Sequence, residues 1–386
     1  MTTLALVLIA IPVALAAYGY VLYPGLLALL APRSGLPEAG EPDQWPDITI
    51  TIPVHNEERV IGDTLDSLLA LDYPTDRRHI LVISDASSDR TDQIAASYAD
   101  RGVQVVRLPE RRGKTAAENE SSLHARGTIV VNTDATTRIH PDSLKALVRV
   151  FRDPTIGVAS GRDVSVAATT DEAHSAEAGY VGYEMWLRDF ETRWGSIVGA
   201  SGCFFAIRRE LSHQLVPEAL SRDFASPLIA RERGFRSVSV PDAICYVPRA
   251  RALKVEFRRK TRTMARGLET LYFKRHLLNP FRYGRFAFLL FSHKLVRWLA
   301  FLAAPLGLLG LALLAPTSGV ARGLLLTILA AGALGGLAYL WPEGRNPPRP
   351  IALLGFLAGT HVAALLAWGK ALGGDRNPIW EPTRRT

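Results

Sequence analysis

The stretch "ITITIPVHNEERVIGDTLDSLLAL", residues 48–71, decides the fold. Its first seven residues are an apolar, β-branched run of strand length. From Arg59 to Leu71 apolar residues recur at helical spacing, with Val60, Leu65, Leu68 and Leu69 on the inward face. The same alternation continues downstream. "HILVISD" (79–85), "VQVVRLP" (103–109) and "TIVVNTD" (128–134) read as strands. Helices are expected near Thr91–Tyr98, over Lys114–Ala125, and over residues 140–153. The last of these has Pro141 near its start and buries Leu144, Leu147, Val148 and Phe151. Strand–helix alternation of this kind predicts an α/β domain with a mostly parallel sheet and helices on both faces.

In such a sheet, ligands bind beyond the carboxyl ends of the strands. Strand one is followed there by His55, Asn56 and Glu57, strand two ends on Ser84 and Asp85, and strand four ends on Asp134. Three strands thus deliver polar groups to one rim. Taken singly, Asp85 and Asp134 could equally cap the helices that follow them. A carboxylate at a strand end can also grip a divalent ion, and such sites usually show a second acid two residues on. Here that position is Thr136.

Apolar residues make up 48% of the 386-residue chain and are unevenly spread. Leu4–Ala31 is apolar over about 28 residues, more than the ~20 that cross a bilayer. No basic residue precedes it and it is long for a signal-peptide core, so residues 1–32 read as a retained span. Three more spans are expected within 294–372, at about Lys294–Ala315, Val320–Trp341 and Ile351–Trp368, with 373–386 as a tail. Pro305 would kink the first, and Arg297 would snorkel to the headgroups. Residues 284–296 read as an interfacial amphipathic segment, with Phe286, Leu289, Leu290 and His293 on one stripe. Arg33 follows the first span and Arg282, Arg285, Lys294 and Arg297 lie at the second, whereas Met1–Thr3 carries no basic side chain. This asymmetry places the middle domain, 45–283, in the cytoplasm, on the inner membrane. Arg376, Arg384 and Arg385 in the tail run against the rule if four spans are present. Cys203 and Cys245 show no metal-ligand spacing and suit a reducing compartment, with Cys203 read as a small core residue.

Five stretches come in the order and spacing that resemble family 2 glycosyltransferases. They are "TIPVHNEERVIGDTLDSLLALDYP" (51–74), "VISDASSDRTDQIA" (82–95), "RRGKTAAENESSLHARGTIVVNTDATT" (111–137), "SRDFASPLIARERGFRSVSVPDA" (221–243) and "RRKTRTMARG" (258–267). The resemblance covers roughly Thr49–Gly267, and the flanking spans resemble the membrane-bound bacterial members that build polysaccharides or glycolipids. It implies a nucleotide-sugar-binding fold of the GT-A-like type and inverting transfer from a nucleoside-diphosphate sugar. Pro53, His55, Asn56, Glu57 and Asp85 would line the donor, with Asp85 on the base or ribose and Asp89 as a helix-capping acid. Lys114 would reach the donor phosphates as a point charge. Asp134 would hold Mg2+ or Mn2+ against the leaving diphosphate, with Thr136 holding a coordinated water.

The resemblance gives the general-base role to Asp223, one carboxylate being enough to take the acceptor's proton. Arg222 stands where the family has another acid, and its charge would help keep Asp223 ionised if the two are close. Gly199 and Gly202, before the apolar run 203–207, would lie beside the acceptor. Arg259 and Arg262 fall where processive synthases carry Gln-x-x-Arg-Trp, but Arg259 replaces Gln and Thr263 replaces Trp, which argues against a processive enzyme. The run Arg249–Arg266 has eight basic residues against Glu256 alone. It lacks an aromatic stacking platform, so nucleic acid is not the expected partner, and anionic lipid or a lipid-linked diphosphate fits better. The leading expectation is transfer of one sugar to a lipid-linked or glycan acceptor. A processive synthase is the second. The third is a non-catalytic, nucleotide-sugar-binding scaffold in a polysaccharide assembly complex, motivated by the departures at Thr136, Arg222 and Thr263.

Overall fold

Eight strands make one mixed sheet in the order β3-β2-β1-β4-β7-β6-β8-β5. They are β1 (Ile48–Val54), β2 (Arg78–Ser84), β3 (Val103–Arg107), β4 (Ile129–Thr133), β5 (Arg138–Ile139), β6 (Ile156–Val166), β7 (Phe204–Arg208) and β8 (Arg236–Pro248). The structure is a computed structural model that describes residues 1–32, 40–166, 172–248, 253–342 and 347–374. Expectations for Arg33, Arg249 and the tail arginines fall outside the described residues. Strands β1 to β4 pair in parallel, as expected, and β6 pairs β8 in parallel. Strand β7 runs antiparallel to both β4 and β6, and β5 antiparallel to β8.

The alternation in β1 sorts its side chains. Ile48, Ile50, Ile52 and Val54 join Ile61, Leu65, Leu68, Leu144 and Leu147 in one core layer. Thr49 and Thr51 face the other way and are buried but hydrogen-bonded. Thr49 Oγ1 accepts from the N–H groups of Arg126 and Gly127, and Thr51 Oγ1 donates to Asn132 Oδ1 at 3.0 Å. On that face Leu81 and Ile83 pack on Ala116 and Ala117 of the Lys114–His124 helix. The helix Ile61–Leu69 buries Ile61 alongside the expected Leu65 and Leu68 and leaves Val60 and Leu69 half-buried. Arg78 closes its C-terminus by donating to the carbonyls of Leu68, Leu69 and Leu71. Gly127 lies where the chain enters β4. A Cβ there would come within 2.5 Å of the Ile48 backbone, so only glycine allows the two strands to meet.

The chain divides into two compact units. The sheet unit lies within residues 31–168 and 181–249, and the helical unit within 1–30, 169–180 and 250–375. Among the described residues, the helical unit holds four helices long and apolar enough to cross a membrane: Thr2–Leu30, Arg285–Leu314, Gly319–Tyr339 and Arg349–Gly373. Small residues let them approach closely. A Cβ at Gly310 would sit 2.6 Å from the Ala5 carbonyl, and one at Gly335 would sit 2.7 Å from that of Leu354. The helix Leu253–Phe273, read from sequence as part of the α/β domain, packs on Arg349–Gly373, where Lys260 donates to Thr360 Oγ1 at 2.9 Å.

Two expectations for this unit take a different form in the structure. The stripe Phe286, Leu289, Leu290 and His293 is buried, and its segment runs without a break into the helix Arg285–Leu314. Tyr23 covers it, packing on Phe288 and His293. Arg297 does not snorkel. It is 4% exposed, against Gly19, with its guanidinium 4.5 Å from the Tyr20 ring centre, because a ring face offers a desolvated cation an attractive quadrupole.

Candidate active site

The order of the sheet reverses at β1, which pairs with β2 on one side and β4 on the other. The β1–β4 pairing ends at Thr51 and Asn132, whereas β1–β2 continues to Val54 and Ser84. A crevice opens at such a switch point. Pro53, which has no N–H, lies where β1 has already left β4. The loops after β1 and β2 are stitched together. The N–H at Nδ1 of His55 donates to the Asp85 carbonyl at 2.7 Å, and Asn56 Oδ1 accepts from the Ser88 N–H at 2.7 Å. The Glu57 N–H donates to Thr91 Oγ1 and the Glu58 N–H to Asp89 Oδ2. Asn56 and Ala86 hold φ of 55° and 52°, a left-handed backbone that non-glycine residues adopt only where surroundings enforce it. Asp89 also accepts from the N–H and hydroxyl of Thr91, but the N-cap position of the next helix falls on Arg90, so Asp89 stands one residue before the cap it was expected to supply.

Asp85 is 2% exposed, and its two oxygens accept the N–H groups of Arg112 and Gly113 at 2.7 and 2.8 Å. This fixes the turn that launches the Lys114–His124 helix. Gly113 makes the turn with φ of 97°. Lys114 then points across the crevice. Its Nζ lies 2.6 Å from Asp134 Oδ1, 2.9 Å from the Gly202 carbonyl and 3.8 Å from Glu118 Oε1. Burial alone would lower the Lys114 pKa, but Asp134 and Glu118 outweigh it and hold the ammonium above its usual value. The Gly202 turn is set by Ser201, whose hydroxyl donates to Asp163 and accepts from the N–H groups of Cys203 and Phe204. Cys203 and Cys245 are not joined in a disulfide, and Cys203 is half-buried against the core.

Asp223 sits in the first turn of the helix Arg222–Glu232, whose N-cap is Ser221. The Ser221 hydroxyl donates to Asp223 Oδ1, and the Ala200 N–H donates to the Asp223 carbonyl at 3.2 Å. Its Oδ2 faces Gly202, 2.9 Å from where a Cβ would stand. The structure thus brings Lys114, Asp134, Gly202 and Asp223 together. Arg222 departs from expectation. Successive helical positions do not share a face, and its side chain turns inward, away from the role of a cation beside Asp223. It is 4% exposed and donates to Asn119 Oδ1 and the Ser212 carbonyl, which fastens the loop before Asp223 to the Lys114–His124 helix. Asn119 and Thr115 fasten the same loop at Val216 and Leu220.

Glu118 was not singled out from the sequence. It is 4% exposed, among Lys114, Arg222, Asp223 and Asp134. Burial raises its pKa, Lys114 and Arg222 oppose the rise, and Asp223 and Asp134 add to it. The available signal was its spacing four residues after Lys114 on one helix face. Arg259 and Arg262 lie on Leu253–Phe273, in the helical unit, where Arg259 forks onto Glu256 at 2.7 and 2.8 Å.

No group of three or more His, Cys, Asp or Glu among the described residues is placed to hold a metal ion. One partly exposed carboxylate, Asp134, stands at the strand end with Thr136 beside it. This donor set does not fit an ion caged by protein. It does fit a Mg2+-like ion that takes most ligands from a substrate's phosphates and water.

A doubly wound α/β sheet with a cation and carboxylates at its switch point defines a domain for an anionic, nucleotide-like ligand. Residues 49–216 match the family model described as glycosyl transferase family 2, and the chain carries a family 2 glycosyltransferase domain of the GT-A-like fold. A mannosyltransferase of Pyrobaculum calidifontis, solved with GDP-Man and Mn2+, is 26% identical, with TM-score 0.69 over 95% of this chain and 99% of that one. An N-acetylglucosaminyltransferase of Mesorhizobium japonicum is 27% identical over 55% of this chain and 53% of its own length. A beta-monoglucosyldiacylglycerol synthase of Synechocystis is 31% identical over 41% of this chain and 33% of its own. The chain spans about half the length, or less, of the curated relatives it matches. Asp223 lies beyond the family match, so its place in the site rests on geometry.

Proposed function

We propose that the protein is a membrane-anchored, inverting glycosyltransferase that moves a sugar from a nucleoside-diphosphate donor to a lipid-linked or polysaccharide-precursor acceptor. The observation that carries this reading is the meeting of Lys114 with Asp134 and Gly202, and of Gly202 with Asp223, in one crevice. The donor's nucleoside lies over the rim formed by Pro53, His55, Asn56, Glu57 and Asp85. Lys114 meets the diphosphate. Asp134, with Thr136 through water, would hold Mg2+ or Mn2+, which neutralises charge on the leaving diphosphate. Asp223 accepts the proton of the acceptor hydroxyl, and Gly199 and Gly202 leave room for that acceptor. Attack from the side opposite the diphosphate inverts the anomeric carbon.

The four apolar helices anchor the enzyme in the inner membrane with the sheet unit in the cytoplasm. The glycolipid synthase and N-acetylglucosaminyltransferase among its relatives support an amphipathic or glycan acceptor, assembled alone or in a polysaccharide complex. The test is a screen of nucleotide sugars against the purified full chain, read by thermal shift and donor turnover with and without Mn2+. A specific donor raises the melting temperature by mass action. Asp223→Asn should keep that shift and lose transfer. Wild-type turnover in Asp223→Asn would remove the proposed base. Long polymer made from a labelled donor by this enzyme alone would replace single transfer with processive synthesis.

A further inference from the structure

The last of the apolar helices, Arg349–Gly373, does not pack as a span packs. The other three set the frame. Thr2–Leu30 and Arg285–Leu314 run antiparallel: a Cβ at Gly19 would stand 2.9 Å from Arg297 Cγ, and one at Gly310 would stand 2.6 Å from the Ala5 carbonyl. Gly319–Tyr339 begins at its Ser318 cap, just after Leu314, and returns, so Arg297 and Tyr339 mark one end of the bundle. The fourth helix has 25 residues and is roughly 37 Å long, yet it keeps to that end. Its Gly355 carbonyl accepts from the Tyr339 hydroxyl at 3.2 Å. His361 meets Phe301 edge-on at 5.1 Å, and Trp368 Nε1 donates to the Trp298 carbonyl at 3.2 Å. Gly319–Tyr339 buries no residue between Ala321 and Gly335, so the fourth helix does not follow it across.

The neighbour of this helix points the same way. Leu253–Phe273 runs beside it in the same direction: Leu253 reaches Gly355, Lys260 donates to Thr360, and Ala265 and Leu268 pack on Ala367. Glu256, Arg258, Arg259, Lys260, Arg262 and Arg266 therefore accompany the same stretch. If the fourth helix crossed the bilayer, these charged groups would be drawn into hydrocarbon, where they are far costlier than among headgroups. In the interfacial plane the pair suits both phases. Leu353, Leu357, Val362 and Leu366 are exposed as an apolar stripe for acyl chains, and Lys254 and Arg258 are exposed for headgroups. Trp298 and Trp368 meet at this level, where indole rings are favoured.

We propose that three helices cross the bilayer, and that Arg349–Gly373 lies with Leu253–Phe273 in the plane of its cytoplasmic face, as a docking surface for the headgroup–acyl boundary of an anionic leaflet. This rests on the membrane anchoring proposed above and changes only how its fourth helix meets the bilayer. Three crossings leave Gly374 on the face where the N-terminal span ends. Arg376, Arg384 and Arg385 then no longer run against the charge asymmetry of the chain.

The test places single cysteines in the full chain, with Cys203 and Cys245 changed to serine, and labels them with a membrane-impermeant maleimide in right-side-out and inverted vesicles. Phe281→Cys reports the face before the second span, Thr317→Cys the turn after it, and Gly374→Cys the end of the fourth helix; all three positions are exposed. Phe281→Cys and Gly374→Cys should label only in inverted vesicles, and Thr317→Cys only in right-side-out ones. Labelling of Gly374→Cys from the face of Thr317→Cys overturns the proposal. Labelling of Phe281→Cys and Thr317→Cys from one face removes the anchoring reading itself. If Gly374→Cys fails to fold, a reporter fused after the last residue replaces it, with fluorescent protein expected to be bright and alkaline phosphatase inactive; the reverse pattern overturns the proposal. Nitroxides at Leu353, Leu357, Val362 and Leu366 give the depth. They should share one shallow depth of about 5–10 Å, whereas a depth that changes by roughly 20 Å along the series would make the helix a span.

Discussion

Gly202→Ala perturbs the site at one point and leaves its charges alone. The added Cβ would stand 2.9 Å from Asp223 Oδ2 and 3.7 Å from its Cγ, where ordinary contact begins near 3.4 Å. The obstructing atom is the end of a side chain, so the carboxylate yields by a few tenths of an ångström and the backbone stays. Asp223 cannot retreat as a whole, because its carbonyl accepts the Ala200 N–H and its Oδ1 accepts the Ser221 hydroxyl. Forcing the side chain off its rotamer costs about 1 kcal/mol, which the fold tolerates. The larger effect is on rate. A general base displaced from the acceptor hydroxyl should lower kcat about 10- to 100-fold, or about 1.4–2.7 kcal/mol in the barrier. The donor KM should hold, because Lys114 uses the carbonyl of residue 202 and not its side chain. The assay is steady-state release of nucleoside diphosphate with donor and acceptor both varied. In an Asp223→Asn background, Gly202→Ala should cost nothing further. Wild-type kcat in a folded Gly202→Ala protein, or an equal loss in both backgrounds, would refute the link between Gly202 and Asp223.

Three further outcomes are expected. Gly127→Ala places a Cβ 2.5 Å from backbone atoms of Ile48, which no side-chain rotation relieves, and should destabilise the protein by about 2 kcal/mol or more, seen as a lower melting temperature. Asp89 is raised by burial but lowered more by its bonds to Thr91 and Glu58, so its folded pKa lies below the usual carboxylate value of about 3.9. Its contribution is therefore present above that value and lost as pH falls through the folded one. Asp89→Asn should melt earlier at neutral pH, with the gap closing in acid, and a gap that persists unchanged would contradict this. Asp134→Ala should abolish transfer, whereas Thr136→Ala should weaken Mn2+ dependence only modestly. Equal loss in both would make Thr136 a direct ligand or a structural necessity.

How much of this was legible in the sequence differs by region. Strands β1, β2 and β4 were legible because short apolar runs end on polar residues, and the Lys114–His124 helix ends one residue from expectation. The crevice residues Asp85, Lys114 and Asp134 follow from those strand ends. Of the far half of the sheet, β7 showed itself as the apolar run after Gly202, and β6, β8 and β5 did not. Strand β6 mixes Ser, Arg and Asp among its apolar residues, and it pairs with β8 across a long stretch of chain that carries no local signal. Arg222 was placed beside Asp223 by adjacency, yet one helical step turns it into the interior. Glu118 stayed hidden because a Lys–Glu spacing of four residues is common on solvated helices, and only the fold shows it buried. Arg297 likewise reads as a headgroup anchor until Tyr20 is seen beneath it.

The most direct measurement is transfer by Asp223→Asn, using the donor and acceptor found by the screen, with the product's anomeric configuration read by NMR. The account predicts an inverted product from the parent protein. It predicts a rate about 10²-fold lower or more in the variant, with the donor-induced melting shift unchanged. A retained anomeric configuration, or a variant as fast as the parent, would contradict it.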